Sequence, residues 1–204
     1  MKIDLHVHTR DRSPCGRATE EEQIRAAVAA GLDAIYFTDH YHFCPSTHLA
    51  ELNQRYAPFF IFNGIEVTAD GEDFLVLGQF DPALERVDWD YPALYQCVRG
   101  GGGFLILAHP YRYHTAITAD IEQYPPDAIE LHSYNTPPSA EAEIRAIAAR
   151  LGLRLLSNTD AHSSERLGNY YNILPDGVCD EAAVLASLRA GQIELFQSDL
   201  VAVR

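Results

Sequence analysis

The residues best suited to chemistry stand at the start of the chain, where histidines alternate with apolar residues. Residues 2–8 read Lys-Ile-Asp-Leu-His-Val-His, and polar and apolar side chains alternate there with the period of a β-strand. His6 and His8 therefore share one face of the strand, close enough to bind one metal ion. A lone His-x-His is more often a solvated strand end, because short motifs match by chance. A metal site is favoured because similar strand ends recur along the chain.

Metal-competent side chains also follow five other predicted strands. With the first strand end, the set is His6, His8, His40, Glu66, His109, His132, Asp160 and His162. In parallel α/β folds the carboxyl ends of the strands form one rim, where active sites are built. Each residue alone has an ordinary structural explanation, but their joint occurrence predicts that they converge. Many imidazoles with a bridging carboxylate suit two or three Mn²⁺, Zn²⁺ or iron ions, whereas Mg²⁺ takes fewer imidazoles.

The elements that must position these residues alternate between strands and helices. A Thr-x-x-Glu capping box predicts a helix from Thr19, and a buried strand follows at 34–37. This spacing indicates a βαβ unit and hence a parallel sheet. Later segments repeat the pattern, with a hairpin through the Asp70–Gly71 turn and a helix capped by Ser139. We find no internal repeat or linker and predict one domain over residues 1–204.

Composition limits the function classes. The chain has 204 residues, 47% hydrophobic and 22% charged, which is ordinary for one globular domain. Its net charge of −14 argues against general affinity for nucleic acid or anionic membrane, so neither partner is expected. Widely spaced cysteines without a Cys-x-x-Cys motif disfavour a disulfide framework or a zinc knuckle. No signal peptide or long apolar span is recognised, so a cytoplasmic location is expected. No sequence feature predicts an oligomeric state.

Five short motifs, in this order, resemble those of the PHP family, the polymerase and histidinol phosphatase superfamily of metal-dependent phosphoesterases. They are Asp-Leu-His-Val-His-Thr at 4–9, Thr-Asp-His at 38–40, Gly-Ile-Glu-Val at 64–67, Ala-His-Pro at 108–110 and Asp-Ala-His at 160–162. The resemblance covers essentially the whole chain. It implies an α/β fold, a distorted (β/α)7 barrel of the PHP type, with a commonly trinuclear metal cluster at its C-terminal rim.

The resemblance also implies how the ligands are shared among the metals. The first metal would be held by His6, His8, Glu66 and Asp160, the second by bridging Glu66 with His109 and His132, and the third by His40 and His162. Family members usually supply a further acidic or histidine ligand of the third metal from the first loop. In this chain Pro14 and Cys15 fall near that position, and Asp11 or Cys15 is the candidate substitute. The third site is otherwise expected to be weak or empty.

This ligand set predicts hydrolysis of a phosphoric ester. Ions that share a carboxylate can also share a water molecule, lower its pKa and direct it at phosphorus. The predicted catalytic residues are Glu66, Asp160 and His162. Arg112 and Arg166, which follow two of the motifs, are predicted to bind the substrate by neutralising phosphoryl oxygens. Arginines of the first loop are further candidates, namely Arg10, Arg12 and Arg17.

Three functions fit the pattern. The favoured one is hydrolysis of a small phosphate monoester, such as histidinol phosphate or a nucleotide. The second is a nuclease that acts on phosphodiesters, against which the acidic balance and the absence of a basic track count. The third is a metal-binding domain without catalysis, which the altered first loop keeps open.

Asp39, beside His40, is expected to accept hydrogen bonds behind the ligands or to be a ligand itself, and the first role is favoured.

Overall fold

The computed structural model describes residues 1–199. Its strands form a single sheet, which curves until it almost closes into a barrel. The strands are β1 (Lys2–Val7), β2 (Ala34–Phe37), β3 (Phe60–Ala69), β4 (Glu72–Leu77), β5 (Phe104–Leu107), β6 (Ala128–His132), β7 (Arg154–Ser157), β8 (Tyr170–Ile173) and β9 (Glu194–Gln197). The α-helices are α1 (Glu20–Ala29), α2 (Ser46–Tyr56), α3 (Tyr91–Gly101), α4 (Glu141–Leu151) and α5 (Glu181–Ala190).

The strand order is β7-β6-β5-β4-β3-β2-β1-β8-β9, so the first seven strands are sequential neighbours. β1, β2 and β3 are parallel, as are β5, β6 and β7, whereas β4 is antiparallel to both its neighbours. The predicted α/β class and distorted barrel are confirmed. The sheet has nine strands rather than seven because the antiparallel pair β8 and β9, connected through α5, extends it beyond β1.

The side chain of Asn172 in β8 joins the two ends of the sheet. Its Oδ1 accepts a hydrogen bond of 3.0 Å from the amide of Ser157 in β7, and its Nδ2 donates to the Ser157 carbonyl at 2.9 Å. The Ser157 hydroxyl donates to the carbonyl of Phe196 in β9 at 2.7 Å. Asn172 and Ser157 are buried, so these bonds replace a regular strand ladder where the barrel closes.

Local sequence signals explain most of the helix boundaries. The predicted capping box of α1 is present, because Glu22 donates its amide to the Thr19 hydroxyl and accepts from the Thr19 amide. The predicted cap at Ser139 is wrong. Ser139 lies in a short 3₁₀ turn over Pro138–Ala140, and α4 begins at Glu141 without a side-chain cap. A proline at the first position of that turn fixes φ for the tighter turn before the helix starts.

The six parallel strands all end at one rim of the barrel. The apolar run of β5 is fully buried, as expected for a strand covered on both faces. Because the neighbours of β4 run against it, the N-terminal end of β4 lies at the same rim as the C-terminal ends of the other strands. Within residues 1–199, no helix combines the length and the apolar character needed to cross a membrane.

Candidate metal centre

His6 and His8 converge at the C-terminal end of β1. Both side chains are fully buried, and their Nε2 atoms lie 3.0 Å apart. Nδ1 of His6 lies 2.9 Å from Oε1 of Glu130 in β6, and Nδ1 of His8 lies 3.4 Å from the Ser13 hydroxyl. Because these neighbours hold the two Nδ1 atoms, both Nε2 atoms are left to face a common cation.

Two buried carboxylates face this pair of imidazoles, Glu66 from β3 and Asp160 from the turn after β7. The distance from His8 Nε2 is 3.1 Å both to Oε2 of Glu66 and to Oδ1 of Asp160. From His6 Nε2, the distances are 3.5 Å to Glu66 Oε1 and 3.3 Å to Asp160 Oδ1. Oε2 of Glu66 and Oδ1 of Asp160 have no aligned hydrogen-bond donor. Such buried acceptors, oriented toward imidazole nitrogens, are arranged as ligands around an ion.

His109, directly after β5, approaches Glu66 from the other side. Its Nε2 lies 3.0 Å from Glu66 Oε1 and 3.8 Å from Asp160 Oδ2. His109 and Asp160 have φ angles of 25° and 52°, in the region that side chains other than glycine seldom occupy. Backbone strain of this kind persists where the surrounding structure holds a functional group in place. The His109 amide supports this conformation by donating to Glu130 at 2.8 Å.

His40 and His162 lie beside His8, on the outer side of the cluster. Nδ1 of His40 lies 3.2 Å from Glu66 Oε2, and Nδ1 of His162 lies 3.3 Å from Asp160 Oδ1. The centroids of their rings are 4.8 Å and 4.4 Å from that of His8. The structure therefore brings together all the predicted ligands except His132.

His132 does not reach the cluster. Regular alternation along β6 would place Glu130 and His132 on one face, but the register with β7 shifts between them. Glu130 is directed at His6, whereas Nε2 of His132 lies 4.0 Å from Glu141, and its ring stacks against Tyr170. The predicted role of His132 at the second metal does not fit this position.

Two carboxylates at the cluster were missed from the sequence. Glu130 orients His6, and Asp73 in β4 places Oδ2 4.0 Å from Nε2 of His109. Ligand atoms of Glu66, Asp73 and His109 all lie within 4.8 Å of one another. Both missed residues are acidic positions inside apolar strands, and both are buried. A buried carboxylate needs a partner, so an acidic residue within an apolar strand indicates a polar site nearby.

Replacing Asp73 should affect metal binding more than replacing His132. Asp73→Asn removes a charged group beside Glu66 and His109, so we expect at least about tenfold weaker binding of one ion. His132→Ala should leave the metal content unchanged, because its ring lies outside the cluster. Elemental analysis after dialysis against metal-free buffer measures both. Loss of metal from His132→Ala together with full retention in Asp73→Asn would reverse this assignment.

The imidazoles and carboxylates shift each other's pKa values. Burial disfavours protonation of His8, but Glu66 and Asp160 outweigh it and raise its pKa to about 9. Burial alone would raise the pKa of each carboxyl, yet the nearby imidazoles hold the pKa values of Glu66 and Asp160 well below their usual range. Burial and the charge of His8 lower the pKa of His162 to about 4. The cluster is thus built around buried negative charge that requires cations.

The donor set fits divalent transition-metal ions. Glu66 belongs to two overlapping groups of close ligand atoms, one with His6 and His8 and the other with Asp73 and His109. A carboxylate shared between two groups is the arrangement of binuclear sites. Imidazole nitrogens dominate the set, which favours Mn²⁺, Zn²⁺ or iron over Ca²⁺ and Mg²⁺.

A cleft of about 370 Å³ opens beside the cluster. It is lined by Cys15, Arg17, Arg112, Asn135, His162, Ser163 and Arg166. Nη1 of Arg112 lies 3.4 Å from Asp160 Oδ2 and 3.3 Å from His109 Nε2. The guanidinium of Arg166 lies 4.6 Å from the ring centroid of Tyr134. Both predicted substrate-binding arginines therefore face the cleft.

Of the first-loop arginines, Arg17 reaches the cleft, whereas Arg12 pairs with carboxylates of the surrounding fold. Arg12 is bound to Asp39 and Glu20 at 2.9 Å each. Asp39 also accepts from the amide and the hydroxyl of Thr9, at 2.6 Å and 2.9 Å. Asp39 therefore holds the first loop against the strand end and does not contact the ligand atoms.

One family model matches part of the chain. A family model described as PHP-associated matches residues 138–193, a segment that contains Asp160 and His162. No curated protein matches the chain significantly.

Solved structures of low sequence identity share the fold along nearly the whole chain. A two-domain protein from Bacteroides vulgatus ATCC 8482, containing a predicted PHP-like metal-dependent phosphoesterase, is 17% identical with a TM-score of 0.72, over 97% of this chain and 64% of that one. An inferred metal-dependent phosphoesterase from Bifidobacterium adolescentis ATCC 15703 is 15% identical with a TM-score of 0.66, over 99% and 98%. A lesion-specific endonuclease from Pyrococcus furiosus is 18% identical with a TM-score of 0.66, over 95% and 57%. The chain thus spans less than two thirds of the first and third of these proteins, and the likeness confirms the fold.

Proposed function

We propose that the chain is a PHP-type protein that hydrolyses a small phosphate monoester with two or three divalent transition-metal ions. The observation that carries the proposal is the convergence of buried imidazoles and carboxylates beside a cleft that two arginines line. The ions would be held by His6, His8, Glu66, Asp73, His109 and Asp160, with His40 and His162 on the cleft side. When bound, they supply positive charge for the phosphoryl group and lower the pKa of the attacking water.

Other side chains orient the proposed ligands or would bind the charged phosphoryl group. Glu130 and Ser13 fix the imidazoles of His6 and His8 through their Nδ1 atoms. Nδ2 of Asn135 donates a hydrogen bond to Oδ2 of Asp160 and so orients that carboxylate. Arg112 and Arg166 line the cleft and would bind the phosphoryl oxygens as negative charge grows on them.

The size of the cleft and the charge of the chain support a small substrate. A volume of about 370 Å³ lies in the range of sites that bind small molecules. The net charge of −14 opposes long polyanions, whose binding requires an extended basic surface. Structural similarity to a lesion-specific endonuclease keeps phosphodiester cleavage as the second candidate.

An assay of metal-loaded protein tests the proposal. Protein stripped with chelator and reloaded with Mn²⁺ or Zn²⁺ should release inorganic phosphate from histidinol phosphate, from nucleoside monophosphates or from an aryl phosphate. EDTA should abolish this release, because the positive charge and the activated water are lost with the ions. Faster cleavage of an oligonucleotide than of any monoester would favour the nuclease. Full metal occupancy without turnover on either class would favour a metal-binding domain without catalysis.

Arg166→Ala should impair substrate capture without affecting the metals. Loss of a charge-assisted contact to phosphate costs about 1.5–3 kcal/mol, or roughly ten- to a hundredfold in kcat/KM. Arg112→Ala should show a loss of the same order, with metal content retained. The control is Arg145→Ala, which removes an exposed arginine paired with Glu141 outside the cleft. Steady-state kinetics and elemental analysis give both readouts. Wild-type kinetics in both cleft variants would leave phosphate binding to the ions and to Arg17.

A further inference from the structure

The first loop places a thiol where the ligand cluster meets the cleft. Sγ of Cys15 and ring nitrogens of His8, His40 and His162 all lie within 4.8 Å of one another. In the described part of the chain, Cys15, His40 and His162 belong to no other group of close ligand atoms, whereas His8 is shared with His6 and Glu66. Cys15 and His162 also line the cleft.

Hydrogen bonds to the backbones of His40 and His162 hold the loop on both sides of Cys15. Two residues before it, the Ser13 hydroxyl accepts a hydrogen bond of 2.9 Å from the amide of His40. Two residues after it, the amide of Arg17 donates to the carbonyl of His162 at 2.7 Å. Because Ser13 and Arg17 are bonded to His40 and His162, the loop holds Cys15 between these two histidines.

The neighbouring loop residues serve other purposes. Oδ2 of Asp11 accepts from the amide of Glu20 at 2.8 Å, so this carboxylate supports the start of α1. At Gly16 a Cβ would come within 2.5 Å of the carbonyl carbon of Thr9, so only glycine allows the loop to fold back so closely. Of the two substitutes predicted from the sequence, only Cys15 reaches the histidines.

We propose that Cys15 is a thiolate ligand of the third metal site, with His40 and His162, and that it makes this site selective for Zn²⁺ over Mn²⁺. The inference rests on the metal centre of the proposed function. Thiolate is a soft donor that favours Zn²⁺, whereas Mn²⁺ prefers oxygen. On binding, the Cys15 thiol gives its proton to solvent and the sulfur binds the ion as thiolate. Three protein ligands are the number found in catalytic zinc sites, which keep a position for water or substrate.

Alkylation kinetics provide a test with an internal control. Cys15 and Cys179 are both exposed, so both should react with iodoacetamide in chelator-stripped protein. One added equivalent of Zn²⁺ per site should slow the labelling of Cys15 by at least about tenfold and leave Cys179 unchanged, because a coordinated thiolate is withheld from the reagent. Mass spectrometry of the labelled peptides measures the two rates. Equal labelling of Cys15 with and without Zn²⁺ would overturn the inference.

Spectroscopy of Co²⁺-loaded variants gives a second readout that is independent of activity. Wild-type protein and the Cys179→Ser control should show a thiolate-to-cobalt charge-transfer band in the near ultraviolet, and Cys15→Ser should lack it. Cys15→Asp should instead shift the Zn²⁺ to Mn²⁺ binding ratio toward Mn²⁺ by about tenfold or more. A band that persists in Cys15→Ser, or an unchanged ratio in Cys15→Asp, would contradict the assignment.

The two proposals fail in different ways. Metal-loaded protein that protects Cys15 but releases no phosphate would overturn the proposed function and support the thiolate ligand. Protein that releases phosphate while Cys15 is labelled freely in the presence of Zn²⁺ would overturn only the thiolate ligand.

Discussion

Asp160→Ala is expected to remove at least one bound ion and to lower kcat on the order of a thousandfold. One carboxylate oxygen of Asp160 lies 3.3 Å and 3.1 Å from Nε2 of His6 and His8, and the other lies 3.8 Å from Nε2 of His109. Without this carboxylate the cluster loses a negatively charged group next to three imidazoles. Metal content and activity should therefore fall together. Elemental analysis and kcat from the same preparation measure both.

The backbone at Asp160 requires a second variant. Its φ of 52° disfavours alanine, so Asp160→Ala also strains the turn. Asparagine tolerates this conformation, and Asp160→Asn therefore removes the charge while keeping the backbone. Asp70→Ala is a matched control, because Asp70 has a φ of 49° in an exposed turn outside the cluster. Full metal content and wild-type kcat in Asp160→Asn would show that the carboxylate is not a ligand.

The convergence of the strand-end residues could be predicted because it depends on local periodicity. Alternation along β1 puts His6 and His8 on one face, and parallel strands bring their ends to one rim whatever the details of packing. The strand spacing likewise predicts the βαβ units and the hairpin at Asp70–Gly71, where Ala69 pairs with Glu72. The positive φ angles of His109 and Asp160 have no such signature, because neither residue is a glycine.

The positions that the sequence did not predict depend on contacts between distant segments. Asp73 lies near the start of an antiparallel strand, so a search of strand ends does not find it, although it faces His109 at the rim. Glu130 rather than His132 faces the cluster because of a register shift between β6 and β7, which packing of the two strands decides. Barrel closure by Asn172 is equally non-local, since its partner Ser157 belongs to another strand. The composition and periodicity of one segment do not encode these features.

Removal of bound ions is expected to lower the melting temperature of the protein substantially. An ion at a hundredfold excess over its dissociation constant stabilises the folded state by about 2.7 kcal/mol per site. For a chain of this length each kcal/mol corresponds to about 2–4 °C, so chelation should cost roughly 5–10 °C per site. The double variant His6→Ala with His8→Ala should show a much smaller effect of chelator, because it lacks two of the imidazoles proposed to bind the ions.

The destabilisation by chelator should also increase with pH. In the metal-free protein the carboxylates raise the pKa of His8 from 6.5 to about 9, so His8 stabilises the fold fully below pH 6.5 and loses this contribution as pH rises through 9. The loss is on the order of a few kcal/mol, since one pKa unit corresponds to about 1.4 kcal/mol. Metal-loaded protein would bind its ions through unprotonated imidazoles, so its stability should not fall in the same way. Thermal unfolding of both forms across this pH range should show a widening gap. A gap that stays constant would mean that His8 does not balance the charge of Glu66 and Asp160 when the ions are absent.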